Sequence, residues 1–310
     1  HGVPQGSILG PLLFLCYIKG LPSVISDVTK NTICLYADDA NLRVSGKSNC
    51  EIETSAIDNM THIREFFSDH QLLLNISKTN FICFSIKSNT NSILPKLQLD
   101  GVDIEMVENT KFLGLHIDNK LSWNYHINHV ANKISSGLFA LYRLSKFCKL
   151  ESLKLVYFAH IHSHLSFGLS IYGGTSQTNM VRLLILQKHA IRIMLKLNWQ
   201  ESVKDKLKKL GIMTVYSNYI YQCILHTVQT PNTVSLVGDF HQYVTRNRNN
   251  FSIPSHRLRF FEKKPTYIGI KCYNALPTIL KDFKNITKFK NNLKSYFLTK
   301  PLYSIGEFFH

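Results

Sequence analysis

Acidic residues are scarce through most of this chain. Residues 121–310 hold only 7 Asp and Glu against 26 Lys and Arg, a net charge of +19, while residues 1–120 hold 13 against 10, a net of −3. A mildly acidic segment followed by a strongly basic one points to a catalytic or metal-binding part beside a phosphate-binding surface. A solvated, lysine-rich helical region is the plainer alternative. Cysteine is also informative by its arrangement. The seven cysteines, at 16, 34, 50, 83, 148, 223 and 272, are odd in number, scattered, and include no Cys-x-x-Cys pair. That excludes a zinc knuckle and a disulfide framework, and leaves reduced thiols in an intracellular compartment as the simplest reading. No apolar run approaches the roughly 20 residues of a membrane helix and no signal peptide is visible, so no membrane partner is expected. Internal repeats and low-complexity tracts are absent. His160, His162 and His164 have no acidic or cysteine neighbour to complete a metal site. On an α-helix His162 would face away from the other two, and a structural role is expected for the cluster. The length of 310 residues allows roughly two domains, and a hydrophobic content of 45% can fill their cores.

Against this background the tetrapeptide Tyr36-Ala37-Asp38-Asp39 stands out. Thr32-Ile33-Cys34-Leu35 before it is rich in strand formers, and Asn41-Leu42-Arg43-Val44 after it alternates polar and apolar up to Ser45-Gly46. The pattern predicts a tight β-hairpin with two adjacent carboxylates at its tip. Like charges side by side repel unless cations neutralise them. Hard oxygen ligands of this kind suit Mg²⁺, which binds through one or two carboxylates together with substrate phosphates. An ordinary turn, chosen because Asp tolerates turn geometry, is the bland alternative.

A second feature lies at the amino terminus. Gly2-Val3-Pro4-Gln5-Gly6-Ser7 reads as a bent, glycine-punctuated loop leading into an apolar stretch, Ile8 to Ile18, expected as a buried helix that begins near Ser7, with Pro11 tolerated in its early turns. The glycines let backbone approach a ligand, and Gln5 sets an amide there, 33 residues before Asp38.

Taken in order, these strings resemble the reverse transcriptases of non-LTR retrotransposons, especially the jockey-like group. Gly2 to Phe14 (GVPQGSILGPLLF) is similar to that family's nucleotide-pocket motif, and Tyr36 to Asp39 (YADD) to its catalytic hairpin. Leu74-Asn75-Ile76-Ser77-Lys78-Thr79 resembles the lysine-bearing motif that follows. Lys111-Phe112-Leu113-Gly114 resembles the primer grip, continued by Leu121-Ser122-Trp123 and His126-Ile127. Tyr267 to Lys271, Asn274-Ala275-Leu276-Pro277, Phe289-Lys290 and Leu293-Lys294 extend the resemblance almost to the end. Ala40, where a hydroxyl residue is usual, and Lys19-Gly20 depart from the family pattern.

The resemblance implies RNA-directed DNA polymerisation by two-metal nucleotidyl transfer, with a primer 3′-hydroxyl attacking the α-phosphate of a deoxynucleotide. Asp38 and Asp39 would be the catalytic and metal-binding carboxylates, and Lys78 would protonate the leaving pyrophosphate or act as an ordinary phosphate-contacting or solvated lysine. Gln5, Gly6 and Tyr36 would line the nucleotide site and primer terminus, and Phe112, Leu113 and Gly114 would position the primer. The implied cofactor is Mg²⁺, with Mn²⁺ as its substitute; the implied partners are an RNA template, a DNA primer and deoxynucleoside triphosphates, in nucleus and cytoplasm. In the family, the fingers and a palm strand with a further aspartate lie ahead of this point, so a carboxy-terminal fragment, inactive alone, is expected. The rival expectation is a non-catalytic or domesticated nucleic-acid-binding relic that keeps the basic surface.

The expected fold is α+β: a partial right-hand polymerase palm, an antiparallel sheet with packed helices, over residues 1–120; a helical thumb and the region after it over 121–230; and a basic carboxy-terminal region over 231–310. Apolar spacing predicts an amphipathic helix from Glu51 to His70, packed under the sheet. Phe81 to Ile86 reads as a strand, and Leu97 to Val102 as a hairpin arm turning at Asp100-Gly101. Helical patterns run from about Tyr125 through Leu144, Ser152 to His164 and Asn179 to Leu197. A boundary is expected near Thr230-Pro231-Asn232. Beyond it, Arg246, Arg248, Arg257, Arg259, Lys263 and Lys264 interleave with Phe251, Phe260, Phe261 and Tyr267, as a phosphate-binding and base-stacking surface or as a helical cap with an aromatic core.

Overall fold

The apolar run after Ser7 folds as helix α1 (Leu9–Ile18), whose residues are hydrophobic on every side. In a computed structural model, which describes residue 4 and residues 6–85, 94–230, 234–239 and 248–309, only Ile18 of this helix is buried. Leu12, Leu13 and Leu15 are each more than half exposed, at 58%, 51% and 59%. Contiguous apolar surface of that kind marks a face made to be covered.

The contacts divide the chain into two compact units, residues 1–110 with 118–120, and residues 111–117 with 121–310. In the first unit, strands β1 (Thr32–Tyr36) and β2 (Asp39–Arg43) form an antiparallel hairpin. Helix α2 (Asn49–Asp69) follows, its amino terminus capped by the Ser48 hydroxyl, which accepts from the Glu51 amide at 3.2 Å. Its inner face is Ala56, Asn59, Ile63 and Phe67, at the three- and four-residue spacing of a helix buried on one side. Asn59 is fully buried but satisfied: its side-chain carbonyl accepts from the Ser26 amide at 2.8 Å and its amide donates to the Ser55 carbonyl at 2.7 Å.

Two apolar clusters share this helix. One joins Ile18, Leu21, Ile25, Ile63 and Phe67, with Phe14, Ile33, Leu35, Leu42, Leu72 and Leu74 packed on it. The other joins Ala56, Leu97, Leu99 and Ile104. The expected packing of α2 under the sheet is therefore packing against the β1–β2 hairpin and against the Leu97–Leu99 segment.

The strands are shorter and less continuous than a single antiparallel palm sheet would require. Strand β3 covers only Asn80–Phe81; residues 82–85 are irregular and Ile86 lies outside the described residues. Strands β4 (Gln98–Leu99) and β5 (Val102–Asp103) form a small hairpin at Asp100-Gly101, whose φ values of +53° and +76° make the mirror-image turn that Asp-Gly favours. Strand β6 (Glu105–Met106) pairs with β3 in parallel. Strands β7 (Asn109–Phe112) and β8 (Leu115–Asp118) form one more two-stranded ladder. The described residues thus hold four separate two-stranded ladders in a mixed helix and strand fold. Frequent positive-φ turns cut the runs short before a wide sheet can form.

The second unit is helical: α3 (Asn124–Leu144), α4 (Leu150–Tyr157), a π-helical turn over Phe158–His162, α5 (Ser163–Ser166), α6 (Leu169–Tyr172), α7 (Gln177–Leu195), α8 (Lys204–Leu210), α9 (Val215–Gln229), α10 (Pro265–Asn274) and α11 (Ile286–Thr299). The described parts of residues 121–230 and 231–310 share one core, since Ile270, Tyr273, Phe289, Leu293 and Phe297 join the same cluster as Ile127, Ile134, Leu183 and Tyr219. Gln187 ties three elements together in that core. Its amide donates to the Tyr157 hydroxyl and the Met213 carbonyl, both at 2.9 Å, and its carbonyl accepts from the Val215 amide at 2.9 Å. Cys223 and Cys272 are buried there, and burial raises both thiols well above their usual range, which makes them inert packing groups. The expected boundary at Thr230-Pro231-Asn232, and Arg246, fall at or outside the edge of the described residues. No described helix is long and apolar enough to cross a membrane.

Candidate functional site

Alternation in β1 decides what the hairpin shows to solvent. Ile33 and Leu35 pack into the core while Thr32, Cys34 and Tyr36 are exposed. The register pairs Ile33 with Leu42, Leu35 with Ala40, Cys34 with Asn41 and Tyr36 with Asp39. Directly paired residues share a face, so Asp39 stands on the side of Tyr36 and Cys34, away from the core. Ala37 and Asp38 are the two loop residues, and the carboxylates therefore sit at the tip and the first paired position beyond it. Both are exposed, and Tyr36 beside them is 63% exposed.

The turn is strained. Ala37 has φ +51°, a left-handed conformation in which a two-residue hairpin loop ordinarily has Gly, Asn or Asp. A non-glycine residue held there costs of order 1 kcal/mol or more, and such strain gathers where geometry is fixed for a task. Neither Asp38 nor Asp39 makes an ion pair among the described residues, so two adjacent negative charges stand without a protein counter-charge.

Their donor set suits a hard divalent cation, which binds through one or two carboxylates and completes its shell with water and substrate phosphates. Two carboxylates are also all the hairpin supplies. Among the described residues no group of three or more His, Cys, Asp or Glu is placed to hold a metal ion by itself. The arrangement fits a cation shared with a phosphate ligand, and does not fit a closed structural site.

The other expected site residues distribute as follows. Gly6 has φ +85° with open space around its α-carbon, a conformation glycine adopts at no steric cost, and it precedes α1, whose Phe14 packs on the core that holds the hairpin. Gln5 lies outside the described residues. Lys78 is exposed on a short 3₁₀ turn, Ile76–Lys78, where its backbone amide donates to the Asn75 side-chain carbonyl at 3.2 Å. Leu72 and Leu74, just before it, pack on the hairpin's core, yet no salt bridge joins Lys78 to Asp38 or Asp39.

Phe112, Leu113 and Gly114 belong to the second unit. Leu113 (φ +44°) and Gly114 (φ +84°) form the loop between β7 and β8, a turn that places a leucine, 38% exposed, in left-handed backbone. A Cβ on Gly114 would come within 3.0 Å of the Phe167 ring, so a side chain there would push that ring aside in addition to straining the left-handed backbone. Close by, His126 is buried and stacks edge-on to Tyr172 with ring centroids 4.6 Å apart. Burial, with the neighbouring charges of His116 and His129, brings its pKa down to about 4, so it is a neutral packing group at physiological pH.

The triplet His160, His162 and His164 spans the π-helical turn and the start of α5. Residues in a π-turn do not follow α-helical facing rules, so the sequence spacing does not fix which of the three points inward. In the structure His162 is the inward one, between the rings of Phe158 and Tyr157 with centroids at 5.1 and 6.0 Å. It opens on a cavity that sequence reasoning did not single out.

Comparison with known proteins agrees with the hairpin geometry. Residues 1–117 match the family model described as reverse transcriptase (RNA-dependent DNA polymerase). The chain is similar to the probable RNA-directed DNA polymerase from transposon X-element of Drosophila melanogaster, 28% identical over 223 residues, covering 69% of this chain and 24% of the relative. It is 28% identical over 200 residues to the probable RNA-directed DNA polymerase from transposon BS of the same species, covering 62% of this chain and 22% of that one. To the RNA-directed DNA polymerase from mobile element jockey, also of Drosophila melanogaster, it is 23% identical over 252 residues, covering 76% and 26%. The chain thus spans about a quarter of the length of these relatives. No solved structure matches it. The stretch that matches the reverse transcriptase model, residues 1–117, is the one that holds the Tyr-Ala-Asp-Asp hairpin, and the similarity of the chain is to polymerases of non-LTR transposons.

Proposed function

We propose that this chain serves RNA-directed DNA synthesis in a non-LTR retrotransposon, with Asp38 and Asp39 as carboxylates of the nucleotidyl-transfer site. The observation that carries this reading is the hairpin itself, which exposes one carboxylate on a strained two-residue loop and a second at the first paired position beyond it, within the residues that match the reverse transcriptase model. The proposed cation is Mg²⁺, with Mn²⁺ able to replace it, held by Asp38 and Asp39 together with the phosphates of a deoxynucleoside triphosphate. When bound, such an ion supplies the charge that stabilises the attacking and leaving oxygens of the displacement.

The chain's own residues do the rest. Gly6 and Gln5 line the nucleotide pocket, where glycine lets backbone approach the ligand. Tyr36, exposed beside Asp39 on the same hairpin face, packs at the primer terminus. Lys78 delivers a proton to the departing pyrophosphate, and Phe112 with the Leu113-Gly114 turn positions the primer strand. An RNA template is held by the basic surface of residues 121–310, in the part proposed as thumb and carboxy-terminal region. The proposed setting is intracellular, in the nucleus and cytoplasm.

The test is primer extension by the full product of the reading frame, on an RNA template with a DNA primer and all four deoxynucleotides. Extension that stops on chelation of divalent cations and resumes when Mg²⁺ is restored is the expected result. Nucleic-acid binding without extension under any divalent ion would favour the non-catalytic alternative.

A further inference from the structure

Residues 121–310 hold seven acidic side chains, and three of them, Glu201, Asp205 and Glu307, gather around one surface of the helical unit. Its spine is a face of α7 where Lys188 and Arg192 stand one turn apart. An aromatic ring lies against each cation. The Lys188 ammonium is 3.8 Å from the Tyr303 ring centroid, with Lys204 at 5.5 Å, and the Arg192 guanidinium is 5.1 Å from the ring centroid of Trp199. His189 meets the same indole edge-on, with centroids 5.6 Å apart. Both aromatic residues sit on fixed backbone. The Trp199 loop is closed by the Asn198 amide, which donates to the Glu201 carboxylate at 2.9 Å, and by the Arg192 guanidinium, which donates to the Glu201 carbonyl at 3.2 Å. Beside Tyr303, the Leu302 carbonyl accepts from the Thr214 hydroxyl at 2.6 Å, and the Tyr303 amide donates to the Glu307 carboxylate at 3.0 Å.

Two demands on this surface are unmet. Trp199, though held by Arg192 and His189, is 65% exposed. Lys188, Arg192 and Lys204 make no ion pair among the described residues, in spite of the three carboxylates nearby. Beneath them, Arg192 Nε and the Tyr303 hydroxyl are covered from solvent without a hydrogen-bond partner, a cost that an incoming acceptor would recover. Trp, Tyr and Arg in one cluster make the composition of a protein-interface hot spot. Fixing them in advance lowers the cost of binding. The local charge decides against a nucleic-acid strand, because Glu201, Asp205 and Glu307 would repel successive phosphates where the rest of the unit attracts them. Three unpaired cations beside an exposed indole suit one carboxylate and one apolar side chain.

We propose that the Trp199–Tyr303 surface docks a short segment of a partner protein, whose carboxylate sits among Lys188, Arg192 and Lys204 and whose adjacent apolar side chain covers the exposed indole. Side chains one turn apart on α7 are about 5–6 Å apart at Cβ. Residues two apart in an extended segment, at roughly 6–7 Å, match that spacing. The surface lies wholly in the helical unit, so it stands or falls independently of Asp38 and of polymerisation.

The experiment begins by panning the whole 310-residue chain against a displayed library of short random peptides. Sequences that set an Asp or Glu within two positions of an aliphatic or aromatic residue should be enriched. An enriched peptide, made synthetically, is then titrated while tryptophan emission is followed. Trp123 is buried, at 9% exposure, so a blue shift reports the covering of Trp199. By calorimetry, Trp199→Ala should weaken binding about thirtyfold or more, the loss typical of a hot spot. Phe147→Ala, which removes an 88% exposed ring between α3 and α4, should change it by no more than about twofold. Converting the peptide carboxylate to its amide should cost about tenfold with wild-type protein and less than about threefold with Lys188→Gln, the coupling of a direct contact. Circular dichroism verifies that each variant folds. The proposal is overturned if no such peptides are enriched, or if Trp199→Ala and Phe147→Ala behave alike. Equal amide losses with wild type and Lys188→Gln would overturn it too. So would a single-stranded oligonucleotide that displaces the peptide and gives the same emission shift, since the surface would then read nucleic acid.

Discussion

Asp38→Asn is expected to lower RNA-templated primer extension by roughly 10³-fold or more, equivalent to about 4 kcal/mol of transition-state stabilisation. The substitution keeps the shape of the loop residue and removes one negative charge from the pair that would share a divalent ion with substrate phosphates. Its effect on folding should run the other way. Asp38 is exposed, unpaired and adjacent to Asp39, so neutralising it relieves repulsion between like charges and leaves the hairpin at least as stable as before. Loss of function with retained or improved stability separates a catalytic group from a structural one. Binding of template RNA should remain within about twofold, because the basic surface is untouched. Single-turnover extension, thermal melting and RNA binding on the same preparation check all three statements. Extension within tenfold of wild type would remove Asp38 from the chemistry.

The second large effect concerns the helical unit. Gly269, on α10, faces α9 so closely that a Cβ at this position would overlap the Thr227 hydroxyl and the Cys223 carbonyl oxygen. Thr227 is fully buried, and its hydroxyl donates to that same carbonyl at 3.0 Å. A methyl group here therefore meets backbone and a committed hydrogen bond, neither of which can turn aside as a flexible side chain can. Overpacking a close-packed core costs about 1–3 kcal/mol and sometimes more. Gly269→Ala should fall at the upper end of that range, about 3 kcal/mol. For a unit of this size the melting temperature should drop by roughly 6–12 °C. Differential scanning calorimetry decides it, and a shift below 2 °C would mean that α9 and α10 are not packed as described.

Several features of the fold were readable in the residues themselves. The hairpin was legible because Thr32 to Leu35 is rich in strand formers, Asn41 to Val44 alternates as strands do, and the acidic tetrapeptide lies at the turn between them. The α2 and α3 helices were legible to within two residues at their ends, since Ala56, Ile63 and Phe67, or Ile127, Ile134, Leu138 and Leu141, repeat at helical spacing and are buried as that spacing requires. Asp100-Gly101 announced its own turn through residues that tolerate positive φ.

Elsewhere tertiary context overrode local signal. Phe81 to Ile86 reads as a strand, but pairing stops at Phe81, where β6 stops too. The helix expected from Ser152 to His164 forms, but a π-turn over Phe158–His162 interrupts its α-helical pitch. No propensity rule encodes that turn, and it decides which histidine faces inward. Of the candidate catalytic residues, the sequence ranked Asp38 and Asp39 by motif. Their exposure, the face Asp39 shares with Tyr36 and the strain at Ala37 required coordinates.

If the hairpin tip holds a divalent cation, Mn²⁺ bound there will relax the nuclei around it. In ¹⁵N-resolved spectra of the labelled chain, with a deoxynucleoside triphosphate present and Mn²⁺ well below stoichiometric, amide signals of residues 36–40 should broaden first and most. Asp38→Asn should abolish that preference. Sharp signals from residues 36–40 beside broadened ones elsewhere would place the cation away from the hairpin and contradict the account.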